Sequence, residues 1–156
     1  TEAWARGGCG VIFWAAWLAF SADPRRYQEV VELLVAWESS DSLLLRLAEA
    51  EAALQLPAAA RHVQVLTDRY AAARARGDTT HRAEEARFEL HLRKDPLTAV
   101  ALARANYAVQ REPRDARVLL EAALAAKDPA RAQSARDWLR SSGFEDARMR
   151  QLGGMP

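Results

Sequence analysis

Residues 94–117 read KDPLTAVALARANYAVQREPRDAR, and this stretch holds one turn, one helix and the next turn of the pattern that organises the chain. Asp95 stands where a helix N-cap is wanted, and Pro96 follows at the first helical position. There its fixed φ suits the helix and its missing N–H is no loss. Residues 97–108 then run without Gly or Pro. Leu97, Val100, Ala101, Ala105 and Ala108 are predicted to form a stripe of mostly small residues, which a neighbouring helix can approach closely. Pro113-Arg114-Asp115-Ala116-Arg117 marks the start of another helical pattern.

Working outward, Pro24, Pro57, Pro96 and Pro129 each sit between helical patterns, at separations of 33, 39 and 33 residues. Three of the four are Asp-Pro. A second series, Asp41, Asp78, Asp115 and Asp146, alternates with the first at separations of 37, 37 and 31. The word around Asp115 returns as Phe144-Glu145-Asp146-Ala147-Arg148, with Tyr107 and Trp138 upstream of the two words, also 31 apart. Two interleaved series of similar period mean one repeated unit of helix, turn, helix and loop. Within it, Tyr27, Val30, Val31 and Leu34 share a helical face, as do Leu43, Leu44, Leu47 and Leu54. The expectation is an all-α fold of about eight helices in four antiparallel pairs, stacked as a solenoid within a single domain, 1–156. The units fall at about 11–38, 41–77, 79–112 and 115–142, with a terminal cap at about 145–152. The second unit is long, which predicts an extended second helix from Pro57 to about Arg76.

Composition agrees. Hydrophobic residues make up 50% of the 156, much of it Ala, while Gly (7) and Pro (6) are scarce and Ile12 is the single Ile. Strands are therefore not expected. Lys+Arg is 22 against 21 Asp+Glu, so no global field draws nucleic acid or an anionic membrane. Cys9 is alone, so no internal disulfide can form. The apolar run Val11–Phe20 is about half of the ~20 residues a membrane span needs. Gly7-Gly8-Cys9-Gly10 stands before that run, where a lipoprotein signal would stand after it, so a buried first helix is expected instead. Thr1 opens the chain without Met, which predicts a piece of a longer protein whose leader, if it has one, lies upstream. The compartment therefore stays open. The Arg- and Ala-heavy composition suits a GC-rich bacterial genome. Trp4, Trp14 and Trp17 crowd the first helix, which predicts that this face either self-associates with another copy of the chain or is the most mobile part of the fold.

Ala101, Ala108 and Pro113 follow the spacing of the tetratricopeptide repeat, and in the first unit Trp14 and Arg26-Tyr27-Gln28-Glu29-Val30 fit its aromatic position and its tyrosine-led second helix. The chain resembles that family over residues 11–142, and residues 110–123 also resemble the C-terminal part of uncharacterised bacterial repeat proteins. Glu89 and Leu18 depart from the pattern, standing where the family has Gly or Ala. The resemblance implies a superhelix whose first helices line a concave, partner-binding face. The family's chaperone-tail clamp is not implied, because Asn106 lies on a second helix and Lys94 and Lys127 lie at turns.

Catalytic signals are sparse: no Gly-x-Ser-x-Gly, no phosphate loop and no dinucleotide fingerprint. His81 with Glu85, and His91 with Asp95, are four apart, but a zinc site draws on at least three protein ligands, and surface ion pairs with helix caps are expected instead. His62 and Cys9 could join such a site only through the fold. Arg69, Arg74 and Arg76 close one helix and Arg131, Arg136 and Arg140 lie on another, with acids interleaved. No catalytic, cofactor-binding or metal residue is assigned. The candidate partner-binding residues are Arg46 and Glu49 on one first helix and Arg82, Glu85, Glu89 and Arg93 on another. The expected function is a protein–protein interaction scaffold that holds a peptide or helix of its partner, with no membrane span and no nucleic acid. The alternative is a nucleic-acid-associated repeat using its Arg-rich helices; an enzyme would need His62, His81 or His91 buried against carboxylates.

Overall fold

The structure, a computed structural model, describes residues 26–154. The expected first helix, the Asp23-Pro24 marker, Cys9 and the three N-terminal Trp lie outside the described residues. Three quarters of the described residues are helical and none is in a strand. Eight α-helices are found among them: α1 (Tyr27–Leu34), α2 (Asp41–Ala53), α3 (Ala58–Ala75), α4 (Arg82–Phe88), α5 (Pro96–Tyr107), α6 (Pro113–Ala125), α7 (Gln133–Ser142) and α8 (Ala147–Leu152). A π-turn, Glu89–Arg93, continues α4, and a 3₁₀ turn, Pro129–Ala132, leads into α7. The chain divides into two compact units between Gly77 and Asp78.

In the first unit α2 packs between α1 and α3. It buries Leu43, Leu44, Leu45, Leu47, Ala48 and Ala50, against Val30 and Leu34 of α1 and Leu66, Tyr70 and Ala73 of α3, which are also buried. The long second helix read from Pro57 is present as α3, and at 18 residues it is the longest of the eight. In the second unit α6 is central: it packs against α4, α5, α7, α8 and the 3₁₀ turn. Ala116, Val118, Leu119, Leu120, Ala122 and Ala123 are buried there. Each fully buried Leu or Val contributes about 1.5–3 kcal/mol, so the central helix of each unit carries much of its stability.

The Pro markers turn out to be one joint used three times. At Gln55-Leu56-Pro57, Gln55 is left-handed (φ 56). The Leu56 N–H reaches Glu51 O at 2.9 Å and the Gln55 N–H reaches Ala52 O at 3.2 Å. At Lys127-Asp128-Pro129, Lys127 has φ 55, and the Asp128 and Lys127 N–H groups reach Ala123 O and Leu124 O, both at 3.0 Å. These are Schellman caps, which satisfy carbonyls left over at a helix end. At Lys94-Asp95-Pro96, Lys94 has φ 58 and the Asp95 N–H reaches one residue further back, to Glu89 O at 2.9 Å. The π-turn accounts for the extra residue, because its hydrogen bonds span five residues where an α-helix spans four.

Three details differ from the sequence expectation. Asp95 does cap α5, accepting from Thr98 N at 3.1 Å, but Asp128 turns its carboxylate to Arg131 Nε at 2.7 Å instead. Asp115 and Asp146 hold different registers. Asp146 is the N-cap of α8, while Asp115 is the third residue of α6, which Pro113 starts two residues earlier, and it accepts from Glu112 N at 3.1 Å. Finally, the small stripe on α5 is rotated. Ala99, Val100, Ala103, Asn106 and Tyr107 are buried, whereas Leu97, Ala101 and Ala108 are exposed and Ala105 is half-buried. Burying Val100 and the ring of Tyr107 removes far more apolar surface from water than burying the methyls of Ala101 and Ala108. The two alanines that carry the repeat-family spacing therefore do not pack between helices.

Candidate functional site

The six candidate partner-binding residues differ in what they offer a ligand. Arg46 and Glu49 bond to each other on α2 at 3.1 Å, with side chains 22% and 12% exposed. On α4, Arg82 is half-buried and Glu85 is buried, and the π-turn carries half-buried Glu89 and exposed Arg93. A helical face at 3-4-4 spacing requires 3.6 residues per turn throughout; the wider π-turn swings Arg93 off that line. The structure brings Arg46 to Glu49 and places the other four along one element.

A polar cluster lies within the first unit. Glu51 of α2 and His62 of α3 are both buried, and His62 Nδ1 is 2.6 Å from Glu51 Oε2. On the opposite edge of the ring, His62 Nε2 is 2.7 Å from Arg61 Nη2 and 3.3 Å from Glu38 Oε1. A guanidinium only donates, so Nε2 accepts from Arg61 and Nδ1 carries the proton that Glu51 accepts. Arg61 also grips Glu38 through both of its terminal nitrogens, at 3.0 and 2.7 Å, and holds that carboxyl below the usual carboxylate range. Arg69 Nη1 adds Glu38 O at 3.1 Å and Asp41 Oδ1 at 2.6 Å. The loop between α1 and α2 is thereby tied to α3 by three cationic or imidazole side chains.

This arrangement limits the chemistry available. A histidine oriented by a carboxylate is the core of many general-base sites, but the Nε2 lone pair of His62 is occupied by Arg61. Glu51 and Glu38 flank opposite ring nitrogens and cannot converge on one ion through this ring. Among the described residues, no three His, Cys, Asp or Glu side chains form a group that could hold a metal.

The second unit has its own network across α4 and α6. Arg117 Nε donates to Glu121 Oε1 at 2.9 Å, and His91 Nε2, from the π-turn, lies 3.5 Å from Glu121 Oε2. Burial alone would raise the Glu121 pKa, but His91 and Arg117 outweigh it and leave this carboxyl below its ordinary range. Nearer the start of α6, Asp115 is buried and its pKa is raised by desolvation, only partly offset by the Glu112 N–H and other groups. Burial also raises the neighbouring Tyr107 hydroxyl.

The remaining sequence candidates are engaged in capping and pairing. His81 is the N-cap of α4, and its carbonyl, not its ring, accepts from the Glu85 N–H at 2.9 Å. His91 turns to Glu121, while Asp95 caps α5. On α7 and the turn before it, Arg131 bonds Asp128 at 2.7 Å and Arg140 bonds Asp137 at 3.0 Å. Arg136 reaches Pro129 O at 2.7 Å. No described helix is long and apolar enough to cross a membrane.

Sequence reasoning passed over Glu51, Glu38, Arg61, Arg117 and Glu121. A signal for some of them was present. Glu51 continues the 3-1-3 stripe of Leu44, Leu47 and Ala48, and His62 lies on the stripe of Leu66, Tyr70 and Ala73. An acid and a histidine on the apolar faces of consecutive antiparallel helices are candidates to meet, since a buried charge needs a partner. Glu38 and Arg61 carried no such signal, because Glu38 lies in the loop between α1 and α2 and Arg61 is exposed. No family model, curated protein or solved structure matches this chain, so its functional reading rests on these residues alone.

Proposed function

We propose that this chain is a helical-repeat scaffold of the tetratricopeptide class, whose stacked helix pairs bind a peptide or helix of another protein. The observation that carries the reading is the joint repeated at Gln55-Leu56-Pro57, Lys94-Asp95-Pro96 and Lys127-Asp128-Pro129, each with a left-handed residue before X-Pro. One joint used three times argues for one unit repeated. Repeats of this kind serve as extended binding surfaces because each unit contacts mainly its neighbours. One polar cluster favours the same reading, since Glu51–His62–Arg61–Glu38 ties helices together and spends the ring nitrogens of His62 on protein groups. Among the sequence candidates, Arg82, Glu89 and Arg93 keep enough exposure to meet a partner, whereas buried Glu85 and the mutually bonded Arg46 and Glu49 support the scaffold.

The test pairs affinity capture with thermal melts. Reversing charge at Arg82, Glu89 and Arg93 should lower capture of a partner, and at exposed Arg93 the change should cost no more than about 0.5 kcal/mol of stability. Ala103→Leu should do the opposite, forcing a buried helix contact apart at about 1–3 kcal/mol. Capture that is unchanged by all three reversals would remove α4 and its π-turn from the binding surface.

A further inference from the structure

His62 is buried, yet its two ring edges meet different surroundings. Nδ1 lies 2.6 Å from Oε2 of Glu51, whose side chain is 5% exposed, so this edge is sealed. Nε2 faces Arg61 and Glu38, whose side chains are 60% and 39% exposed, so this edge borders solvent. There Nε2 has one donor and one acceptor within reach, Arg61 Nη2 at 2.7 Å and Glu38 Oε1 at 3.3 Å. Those two groups also hold each other, with Nη2 2.7 Å from Oε1 and Nη1 3.0 Å from Oε2. Nε2, Nη2 and Oε1 thus close a triangle.

A neutral ring and a charged ring use that triangle differently. The neutral ring accepts from Nη2. An imidazolium donates from both nitrogens, and two N–H donors cannot share a contact of 2.7 Å. Oε1 then becomes the acceptor for the Nε2–H, and Nη2 has to withdraw while Nη1 keeps Oε2. The charged groups that face the ring are Glu51 from α2, Glu38 from the loop and Arg61 from its own helix. Arg69 of α3 bonds Asp41 and the Glu38 carbonyl. Two carboxylates against one guanidinium leave the ring's surroundings negative, which favours the exchange once a proton arrives. Arg61 first, and His62 as well, hold the Glu38 carboxyl below its ordinary range against the desolvation that raises it. Glu38 is therefore charged throughout the range in which histidines titrate.

We propose that His62 is a proton-operated exchange between two partners: neutral, it is bound by Arg61; protonated, it takes Glu38 and releases the Nη2 arm of Arg61 to solvent. A histidine buried neutral ordinarily costs the fold stability when acid forces it to charge. Here each ring nitrogen has a carboxylate to donate to, so the tie between the α1–α2 loop and α3 passes from one side chain to its neighbour and is not broken. Acid thereby turns a fixed guanidinium into one with free N–H donors on the surface of the first unit.

The experiment follows the full chain by nuclear magnetic resonance, with nitrogen-labelled His and Arg, from about pH 8 to about pH 5, the span over which histidine changes charge. At the upper end the ring nitrogens of His62 should report the Nδ1–H tautomer. As pH falls, Nε2 should gain a proton, and the Arg61 guanidinium and Glu38 carboxyl resonances should move with the same midpoint while helical circular dichroism is kept. Arg61→Gln removes the competing donor and should raise that midpoint, and Glu38→Gln removes the waiting charge and should lower it, each by about half to one pH unit. An Nε2–H tautomer at the upper end, a ring that stays neutral throughout, an Arg61 signal that does not follow the ring, or helix lost along with it would each overturn the exchange. The titration of the unaltered chain decides this without either variant, and variants that shift the midpoint in one common direction would overturn it too.

Discussion

The Glu51–His62 bond joins two side chains that would each be costly to bury alone, and its removal separates a clamp from a catalytic group. Glu51→Ala leaves the His62 Nδ1–H without an acceptor in a dry site, and a buried donor left unsatisfied costs about 1–3 kcal/mol. Chemical denaturation should show a loss of that order, and a loss below about 1 kcal/mol would mean that the pair holds nothing. Two carboxyls of α6 make opposite predictions with pH. Glu121 is held below its ordinary pKa in the fold, so it adds stability above the unfolded value of about 4.3. That stability fades as pH falls through the lower folded value. Glu121→Gln should therefore flatten the acid limb of a stability–pH curve. Asp115 has its pKa raised by burial, so it costs stability once pH climbs past its unfolded value of about 3.9. Asp115→Asn keeps an oxygen for the Glu112 N–H, and its advantage should be absent at the lowest pH and grow as pH rises through the folded value. An advantage that shrank with rising pH would reverse the assignment.

At the scale of the element, the recurring joint stores strain in three residues. Gln55, Lys94 and Lys127 adopt the left-handed region without being glycine, at a cost of about 1–2 kcal/mol each. Glycine relieves that strain but frees the unfolded chain, which returns about 0.5–1 kcal/mol of the gain. Gln55→Gly, Lys94→Gly and Lys127→Gly should each raise the melting temperature modestly. Gly77→Ala and Gly143→Ala, at φ 72 and 66, should lower it. A different sign at one of the three would break their equivalence. Sequence spacing disclosed these joints because Pro acts locally, within one turn. It did not disclose which face of α5 is buried, because that depends on neighbours on both sides, and alanines alone rank poorly against Val100 and Tyr107. The corrected register has a direct check: Ala101→Leu should be tolerated within about 0.5 kcal/mol, while Ala103→Leu should cost about 1–3 kcal/mol.

For the molecule as a whole, the helical class was legible from composition and marker spacing, whereas the polar networks were legible only in part: Arg117 and Glu121 stand four apart on one helix, but Glu38, Arg61 and His91 meet their partners only through packing. Those networks now bear on which macromolecule the chain can bind. With 22 Lys+Arg against 21 Asp+Glu, the net charge is +1. Arg61, Arg69, Arg117, Arg131 and Arg140 are each bonded to a carboxylate. A nucleic-acid surface must release counterions from the phosphates it neutralises, so its log affinity falls by about 0.9 for each phosphate contact per tenfold rise in salt. To build such a surface, this chain would have to break ion pairs that already stabilise its helices. A mixed-charge protein groove makes no such demand, because attraction and repulsion across it are screened together. Anisotropy of a labelled duplex should therefore show little binding at physiological salt, while capture of a protein partner should change little between low and moderate salt. Tight duplex binding with a slope corresponding to several phosphate contacts would instead make the arginines of α7 the binding surface and leave the ion pairs as their resting state.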